Sequence, residues 1–332
     1  MEDKLEVKGV NLNDTFDFDK FFEYYGTTGF QATHLHKAVE ILRRVKHQRE
    51  QPFERSEVAI TGYEPKNNCT LFLGYTSNMV SSGNRELIRY LVQHRHVDVL
   101  VTTAGGIEED LIKCLAPTLV GSFRQNDAQL RKDRLNRIGN LVIPSANYEL
   151  FEDWITPIFR KMLEDQKSGF IWTPSKMIKL FGEEIKNESS ICYWAAKNDI
   201  PIFSPAITDG SIGDMIYFFS ITSPGLMLDI CSDLTMINNL AKFSKQTGML
   251  ILGGGLIKHH ICNANLMRNG ADFSVFINTA VEYDGSDAGA EPSEAVSWGK
   301  IKCNAESVKV FCDATIAFPL IVAVVYGNRY RS

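Results

Sequence analysis

The seven cysteines of this 332-residue chain form neither a metal-binding pattern nor an evident set of disulfide pairs. No two of them stand in a C-x-x-C arrangement, and their number is odd. Zinc-binding modules and disulfide-rich secreted domains usually show one of these patterns. We therefore interpret the cysteines as reduced core residues, and we expect no metal site.

Long apolar segments and an excess of positive charge are also lacking. The run FPLIVAVV near the C-terminus is too short to cross a bilayer, and the acidic segment MEDKLEVKGVNLND does not resemble a signal peptide. The net charge is −5, whereas binding to nucleic-acid phosphates requires a basic surface. The composition favours a soluble cytoplasmic protein and is compatible with a polycationic ligand.

A short apolar run followed by small polar residues recurs six times along the chain. The runs are CTLFLG, VDVLVTT, IPIFSPA, GMLILGGG, DFSVFIN and VKVFCDA. Alternation of such runs with helical patterns predicts an α/β fold with a mostly parallel sheet and covering helices. Residues 34–50 have the apolar spacing of an amphipathic helix. We expect a helical extension and connector over 1–68 and a catalytic α/β domain over 69–332, packed as one compact unit.

Polar residues cluster directly after each of the six predicted strands. Ligands of open parallel sheets bind beyond the carboxyl ends of the strands, so the clusters could converge on one crevice. The alternative is that they are ordinary turn residues. TTAGGIEED and ILGGGLIKHH could each hold a phosphate, although neither matches G-x-G-x-x-G. Asp313 could bind a ribose or cap a helix, and Asp209 and Asp214 could serve a ligand or a turn.

The most informative segment of the sequence covers residues 279–302 and is acidic. Its five carboxylates, spaced two to four residues apart among Gly, Pro and Ser, indicate a loop around a small cation rather than one face of a helix. Trp298 adds an aromatic face and Lys300 a possible nucleophile. A lysine attacks an imine only in its neutral form, which burial favours and nearby carboxylates oppose unless a bound polyamine neutralises them. We therefore hypothesise chemistry on a polyamine. The alternative is a surface lysine beside a packed tryptophan.

His259 and His260 follow the second glycine turn. Adjacent helical residues point to different faces, so this pair is unsuited to one metal ion. A histidine that faces the crevice can act as a general base, because imidazole titrates near neutral pH. The alternative is a solvated or core histidine. Glu108 and Glu109 open a helix, where negative charge is favourable without any ligand.

Eight motifs together resemble the deoxyhypusine synthase family. They are TSNMVSSG, LVTTAGGIEEDLIKCLAPT, WTPSKMI, FSPAITDGSIGDMI, ILGGGLIKHHICNANLMRNGAD, EYDGSD, EAVSWGKIK and VFCDA. The resemblance is collinear and runs from Gly26 to about residue 325. The combination of SWGK with GGGLIKHH is more specific than a dinucleotide-binding fingerprint.

The resemblance implies a doubly wound, Rossmann-like NAD-binding fold with helices on both faces, and an NAD-dependent aminobutyl transfer. Spermidine is oxidised by hydride transfer, and 1,3-diaminopropane leaves. The four-carbon imine passes to an enzyme lysine and then to one lysine of the initiation factor 5A precursor, where the hydride returns. The family is a homotetramer, a dimer of dimers with active sites at subunit interfaces, and it uses neither nucleic acid nor a membrane.

Matching positions imply the role of each site residue. Lys300 corresponds to the covalent lysine and His259 to the catalytic histidine at the spermidine amine. The rest of the spermidine site would be Glu108, Glu109, Asp214, Asp284, Gly285, Ser286, Asp287, Glu294 and Trp298. The NAD contacts would be Ser77, Asn78, Ser81, Thr103, Ala104, Gly105, Glu109, Asp209, Gly254, Thr279, Ala280, Asp313 and Ala314. Glu282 and Glu291 receive no role, and we expect them to be solvated.

Two features depart from the family pattern. Phe276 stands where better-known members carry a tyrosine, which we expect to tune the site. The segment before the TTGF motif is short for the family's N-terminal arm, whose helix covers a neighbouring active site. Two other readings stay open: a regulatory subunit that activates a catalytic paralogue, and an ordinary NAD dehydrogenase or Schiff-base lyase on the same fold.

Overall fold

The structure, a computed structural model, describes residues 5–13, 17–53 and 65–327. Most of the predicted connector, residues 54–64, lies outside the described residues. The helices are α1 Phe18–Glu23, α2 Tyr25–Thr28, α3 Phe30–Glu50, α4 Asn78–Ser81, α5 Arg85–Gln93, α6 Ala104–Leu115, α7 Asp127–Lys132, α8 Ser145–Lys167, α9 Pro174–Ile185, α10 Ile191–Asn198, α11 Ser211–Thr222, α12 Ile230–Lys242, α13 Leu256–Leu266, α14 Pro292–Ser297 and α15 Ala314–Tyr326. The strands are β1 Cys69–Tyr75, β2 Val99–Thr102, β3 Leu119–Val120, β4 Leu135–Ile138, β5 Leu141–Pro144, β6 Ile202–Phe203, β7 Gln246–Leu252, β8 Ala271–Asn278 and β9 Ile301–Phe311.

All six strands expected from the apolar runs are present, as β1, β2, β6, β7, β8 and β9. β1, β2, β6, β7 and β8 are rich in Val, Ile, Leu or Phe and largely buried, as strands covered by helices are, whereas β9 is buried mainly over residues 308–310. Strands β2 and β6, β7 and β8, and β8 and β9 pair in parallel. The predicted α/β class with a mostly parallel sheet is therefore confirmed.

The chain divides into two compact units. Unit 1 comprises Met1–Gly74 and Asn238–Ser332, and unit 2 comprises Tyr75–Ile237. The division into an extension over 1–68 and a catalytic domain over 69–332 stays a prediction.

Unit 1 has helices on both faces of its sheet, whose strand order is β1–β7–β8–β9. A Cβ atom at Gly248 would lie 3.2 Å from both Val45 of α3 and Leu71 of β1, so α3 covers that face. Gly74 lies three positions after Leu71 and points to the opposite face, since strand side chains alternate. A Cβ atom at Gly74 would lie 2.6 Å from Ile261 of α13. Helices α3 and α13 therefore lie on opposite faces.

Unit 2 is organised around a buried carboxylate on α6. Asp110 accepts hydrogen bonds from Arg85 Nε at 2.7 Å, Ser190 Oγ at 2.6 Å, and the backbone N–H groups of Ile191 and Cys192 at 3.0 Å each. The last two belong to the first turn of α10. Asp110 thus connects α5, α6 and α10 by satisfying donors that a helix start would otherwise leave unpaired.

A small antiparallel sheet in unit 2, with the order β3–β5–β4, was not predicted. Gly139 and Asn140 form the tight connection between β4 and β5, and Gly139 adopts a φ of +57°, which favours glycine. Over the ranges that the structure describes, no helix is both long and apolar enough to cross a membrane.

Candidate active site

A tight glycine turn places the helix that carries His259. Strand β7 ends at Leu252, and Gly253 and Gly255 adopt φ values of +100° and +58°, so both positions favour glycine. Helix α13 begins directly afterwards and has the bounds of the predicted segment LIKHHICNANL. The turn lets the chain reverse from the buried strand into α13 within three residues.

The two adjacent histidines of α13 differ in environment, as neighbouring helical positions require. His260 is half-buried, and burial lowers its pKa. His259 is exposed, and its Nδ1 atom lies 3.1 Å from Nδ2 of Asn263, one helical turn further on. This contact leaves Nε2 of His259 available to a ligand. Asn263 was not among the predicted site residues.

A cavity of about 370 Å³ opens beside α13 in unit 1. It brings together five predicted residues of the covalent and polyamine steps, namely His259, Asp287, Glu294, Trp298 and Lys300. These residues come from α13, from the acidic loop, from α14 and from the segment that follows it, and His259 and Lys300 are 41 positions apart in the sequence. Gly285, another predicted contact, also lines the cavity.

The end of α14 positions Trp298 and Lys300. The backbone N–H of Lys300 donates to the carbonyl of Ala295 at 2.9 Å, and Gly299 adopts a φ of +71° that permits this turn. Lys300 Nζ lies 5.6 Å from the centroid of the Trp298 ring, within cation–π range. Trp298 is 65% exposed, so its ring is a wall open to ligands rather than a packed core residue.

Asp287 offers an unpaired carboxylate oxygen to the cavity. Its Oδ2 atom is buried and has no hydrogen-bond partner in the described part of the chain. Burial lowers the pKa of the nearby Lys258 ammonium and the charge of Asp287 opposes that shift, while Oδ2 can still accept a hydrogen bond from a cationic ligand. Glu294, in the first turn of α14, is more exposed.

The remaining acidic loop residues differ from one another. Asp284 and Ser286 are exposed, and Asp284 Oδ1 accepts the backbone N–H of Ser286 at 2.8 Å, which lowers the pKa of Asp284. Glu282 is exposed, as expected. Glu291 is also partly exposed, but its carboxylate pairs with the buried Lys309 at 3.1 Å and the residue lines the cavity.

Cys262 also lines the cavity, on the same helix as His259. Burial raises the pKa of its thiol to about 12. The thiol is therefore protonated at neutral pH and is no competitor to Lys300 as a nucleophile.

A second group of predicted residues lies in unit 2, around the start of α6. Glu108 is buried and accepts the backbone N–H of Ile212 at 2.8 Å, so it caps helix α11. Burial raises the pKa of Glu108, and the charges of Asp214 and Asp209 raise it further. The charges of these three carboxylates thus interact within this unit.

Glu109 is the most perturbed carboxylate of this group. Burial raises its pKa to about 7; the charge of Glu108 adds to the rise and that of Lys113 opposes it. Its Oε2 atom is buried without a hydrogen-bond partner among residues of the described ranges. Like Asp287, Glu109 therefore presents an oxygen that a cationic or hydrogen-bonding ligand would satisfy.

Two strand-end clusters of predicted cofactor contacts meet in unit 2. A Cβ atom at Gly105 would lie 2.7 Å from the Cβ of Ser77, so the segments after β1 and β2 approach closely. Thr103 precedes α6, and its buried Oγ1 has no partner among the described residues. Two of the other predicted contacts begin helices, Ala104 in α6 and Asn78 in α4. Ser81 Oγ donates a hydrogen bond to the carbonyl of Ser77. Asp209 is exposed.

The cofactor contacts predicted in unit 1 occupy three strand ends. A Cβ atom at Gly254 would come within 2.4 Å of the Ala288 Cβ, so the glycine turn packs against the acidic loop. Thr279 is exposed and Ala280 half-buried after β8. Asp313 is the N-cap of α15, which begins at Ala314, and accepts the Thr315 backbone N–H at 2.8 Å. Its role at a ribose stays a prediction.

Comparison with known proteins decides the family. Residues 20–325 match the sequence profile of deoxyhypusine synthase. The chain belongs to the deoxyhypusine synthase family. It is 56% identical to a probable deoxyhypusine synthase of Dictyostelium discoideum, covering 100% of this chain and 89% of that protein. It is 55% identical to the deoxyhypusine synthase of Senecio vernalis, covering 98% of this chain and 90% of that one.

Solved structures of related fold agree with this assignment to the deoxyhypusine synthase family. A crystal structure assigned as a deoxyhypusine synthase from Entamoeba histolytica is 34% identical, with a TM-score of 0.70 and 96% of both chains covered. The ternary complex of AgrE with ornithine and NAD+ is 11% identical, with a TM-score of 0.52, and covers 90% of this chain and 34% of that one. The latter likeness shows the fold alone.

Proposed function

We propose that this transferase of hypusine biosynthesis moves the 4-aminobutyl group of spermidine to one lysine of the initiation factor 5A precursor, with NAD as cofactor. Deoxyhypusine synthase activity follows from the family and from relatives of about 55% identity over the whole chain. The observation that supports this substrate and cofactor is the unit 1 cavity, in which Lys300 lies beside Trp298 and Asp287 lines the wall with a carboxylate oxygen that has no hydrogen-bond partner among the described residues.

The cavity suits a flexible chain that carries positive charges and apolar methylenes. Asp287 and Glu294 can bind ammonium groups, and the exposed ring of Trp298 can cover both methylenes and a cation. An anionic or neutral substrate would leave the Asp287 oxygen unpaired. Spermidine, whose amines are separated by short methylene chains, satisfies both requirements.

Lys300 is the proposed nucleophile. Its neutral amine adds to the imine carbon of oxidised spermidine, and the bond to the departing 1,3-diaminopropane breaks as that amine takes up a proton. The ε-amine of the target lysine then adds to the same carbon and displaces Lys300. Two transfers between amines thus replace one direct displacement at a saturated carbon.

His259 is the proposed proton acceptor at the spermidine amine. The amide of Asn263 can present either nitrogen or oxygen to the ring after a 180° rotation. The oxygen pairs with a proton on Nδ1, which leaves Nε2 of His259 as the acceptor facing the ligand. The contact of 3.1 Å is compatible with both arrangements.

The residues around the start of α6 fit NAD. The unpaired hydroxyl of Thr103, the small residues Ala104 and Gly105, and the first N–H groups of a twelve-residue helix suit a diphosphate. When bound, NAD would accept a hydride and later return it. This chain's residues would bind the diphosphate at α6 and the remainder of NAD at the predicted strand ends.

The homotetramer and the cytoplasmic location belong to the same proposal. Tyr217, Phe218 and Ile221 of α11 are 62%, 46% and 66% exposed, and apolar residues grouped on a surface favour assembly. None of the seven cysteines, all within the described ranges, forms a disulfide bond, which is compatible with a reducing compartment.

A label-transfer assay tests the proposal. The purified protein is incubated with NAD, labelled spermidine and the factor 5A precursor, and we expect label on the factor. Lys300→Ala should abolish transfer while NAD binding is retained, whereas Lys302→Ala, two residues away on β9, should remain active. Retained transfer by Lys300→Ala would contradict the assigned nucleophile. A parent protein active only with a second, paralogous chain would instead favour a regulatory subunit.

A further inference from the structure

Lys258 is a buried lysine on α13 whose ammonium binds the backbone of the acidic loop. Lys258 is only 2% exposed. Its Nζ donates hydrogen bonds to the carbonyls of Asp287 at 2.5 Å and Ala290 at 2.8 Å. The same atom lies 4.7 Å from the centroid of the Phe276 ring. An ammonium has three N–H donors, and two carbonyls with one aromatic face supply three favourable partners.

Lys309 on β9 binds the same loop at other points. This residue is 6% exposed, and its Nζ donates to the carbonyls of Ala280 at 3.0 Å and Gly289 at 2.6 Å. It also pairs with the carboxylate of Glu291 at 3.1 Å. Its three partners therefore include both the start and the end of the acidic loop.

The two lysines approach the loop from one side of the sheet. Phe276 of β8 is paired directly with Lys309 of β9, so their side chains lie on the same face. Lys258 packs against that face through the Phe276 ring. The loop ends also touch each other, since a Cβ atom at Gly289 would fall 1.8 Å from the carbonyl oxygen of Val281.

We propose that Lys258 and Lys309 are positioning residues that fix the loop 280–291 and thereby hold Asp287 in place for its cationic ligand. The inference rests on the proposed polyamine function. Both lysines use backbone carbonyls of the loop as acceptors, so the side-chain oxygen Oδ2 of Asp287 stays unpaired and available. The loop has no regular structure beyond the short 3₁₀ turn Glu282–Asp284, and these bonds supply the order that a helix or strand would give.

The proposal predicts a loss of loop order together with weaker spermidine use. The test compares Lys258→Met and Lys309→Met with the control Lys302→Met, which removes a lysine of the same unit that donates to Asp272 at 2.5 Å. Methionine retains most of the side-chain volume. Amide hydrogen exchange is followed in peptides from 279–291 and from α13, and the KM for spermidine and the kcat are measured in the transfer assay.

We expect exchange in the loop to speed up at least about tenfold in the first two variants, and the KM for spermidine to rise about tenfold with kcat changed less than about threefold. Lys302→Met should change neither quantity. Unchanged loop exchange in both variants, or a loosened loop with an unchanged KM, would overturn the proposal.

Glu291→Gln supplies the same test without altering a buried residue. It removes only the ion pair with Lys309, and we expect loop exchange to rise about threefold. Unchanged exchange would count against the role of Lys309. If the parent protein transfers no aminobutyl group, the proposed function fails, while the exchange measurements still decide whether the lysines hold the loop.

Discussion

Glu109 should make the stability of the protein depend on pH in a way that Glu109→Gln removes. Burial raises the pKa of this carboxyl from 4.5 to about 7. Between these values the folded protein binds more protons than the unfolded chain, so the free energy of unfolding falls as the pH rises through this window. The free-energy cost of ionising the buried Glu109 carboxyl is fully present above about pH 7 and absent below about pH 4.

The magnitude follows from the size of the shift. A rise of this size corresponds to about 3 kcal/mol, of which about 2.5 kcal/mol develops between pH 5 and pH 8. The unfolding entropy of a chain of this length converts that into about 4 °C. Relative to the parent, Glu109→Gln should therefore gain about 4 °C in Tm when the pH is raised from 5 to 8.

Thermal unfolding in matched buffers at several pH values measures this gap, the difference in Tm between Glu109→Gln and the parent protein. Glu282→Gln is the matched control, because Glu282 is exposed, and its Tm should follow the parent at every pH. A gap between Glu109→Gln and the parent that stays constant within about 1 °C from pH 5 to pH 8 would refute the reasoning. Saturating spermidine should narrow the gap at pH 8 if it satisfies the Glu109 carboxylate.

Three further substitutions test single contacts. Asp287→Asn should weaken spermidine binding, measured by calorimetry, about ten- to hundredfold, and Glu294→Gln should weaken it less because Glu294 is more exposed. The reverse order would show that burial of the carboxylate does not determine its contribution to spermidine binding. Asn263→Leu should lower kcat about tenfold at unchanged KM, whereas Asn263→Asp, whose carboxylate accepts a hydrogen bond, should retain most of the rate. Equal losses in the two variants would argue against the amide oxygen of Asn263 as the acceptor of the His259 Nδ1 proton. Asp110→Ala should cost about 3–5 kcal/mol of stability because it removes the buried carboxylate that pairs with Arg85 and accepts the first N–H groups of α10. A Tm within about 1 °C of the parent would show the buried network to be unimportant.

The strands and the helix that bears His259 could be predicted from the sequence because their signals are local. Buried strands read as runs of Val, Ile, Leu and Phe, and the apolar periodicity of LIKHHICNANL fixes α13 between a glycine turn and the next strand. The small antiparallel sheet was missed because β3 has only two residues and β4, LNRI, has two polar residues among four, so neither gives an apolar run long enough to recognise. The Gly139–Asn140 pair was the available signal for its hairpin.

The site could be predicted only in part, because several roles depend on contacts distant in sequence. Glu108, Glu109 and Asp110 are consecutive acids at a helix start, yet one caps α11, one has an unpaired oxygen and one ties three helices together. Helix geometry alone gives none of these partners. Lys258 and Lys309 were missed for the same reason, since their acceptors are carbonyl groups, which every residue carries.

The close contacts of Gly289 with Val281 and of Gly254 with Ala288 determine where the acidic loop tolerates change. Neither glycine leaves room for a side chain, so a mutant library should retain both glycines and vary instead at the exposed Glu282 and Tyr283. Tyr283, which is 88% exposed, could carry an environment-sensitive fluorophore without touching the lysines beneath the loop. Because the lysines hold the loop and Tyr283 remains exposed, this position offers an attachment point for an optical reporter of polyamine binding.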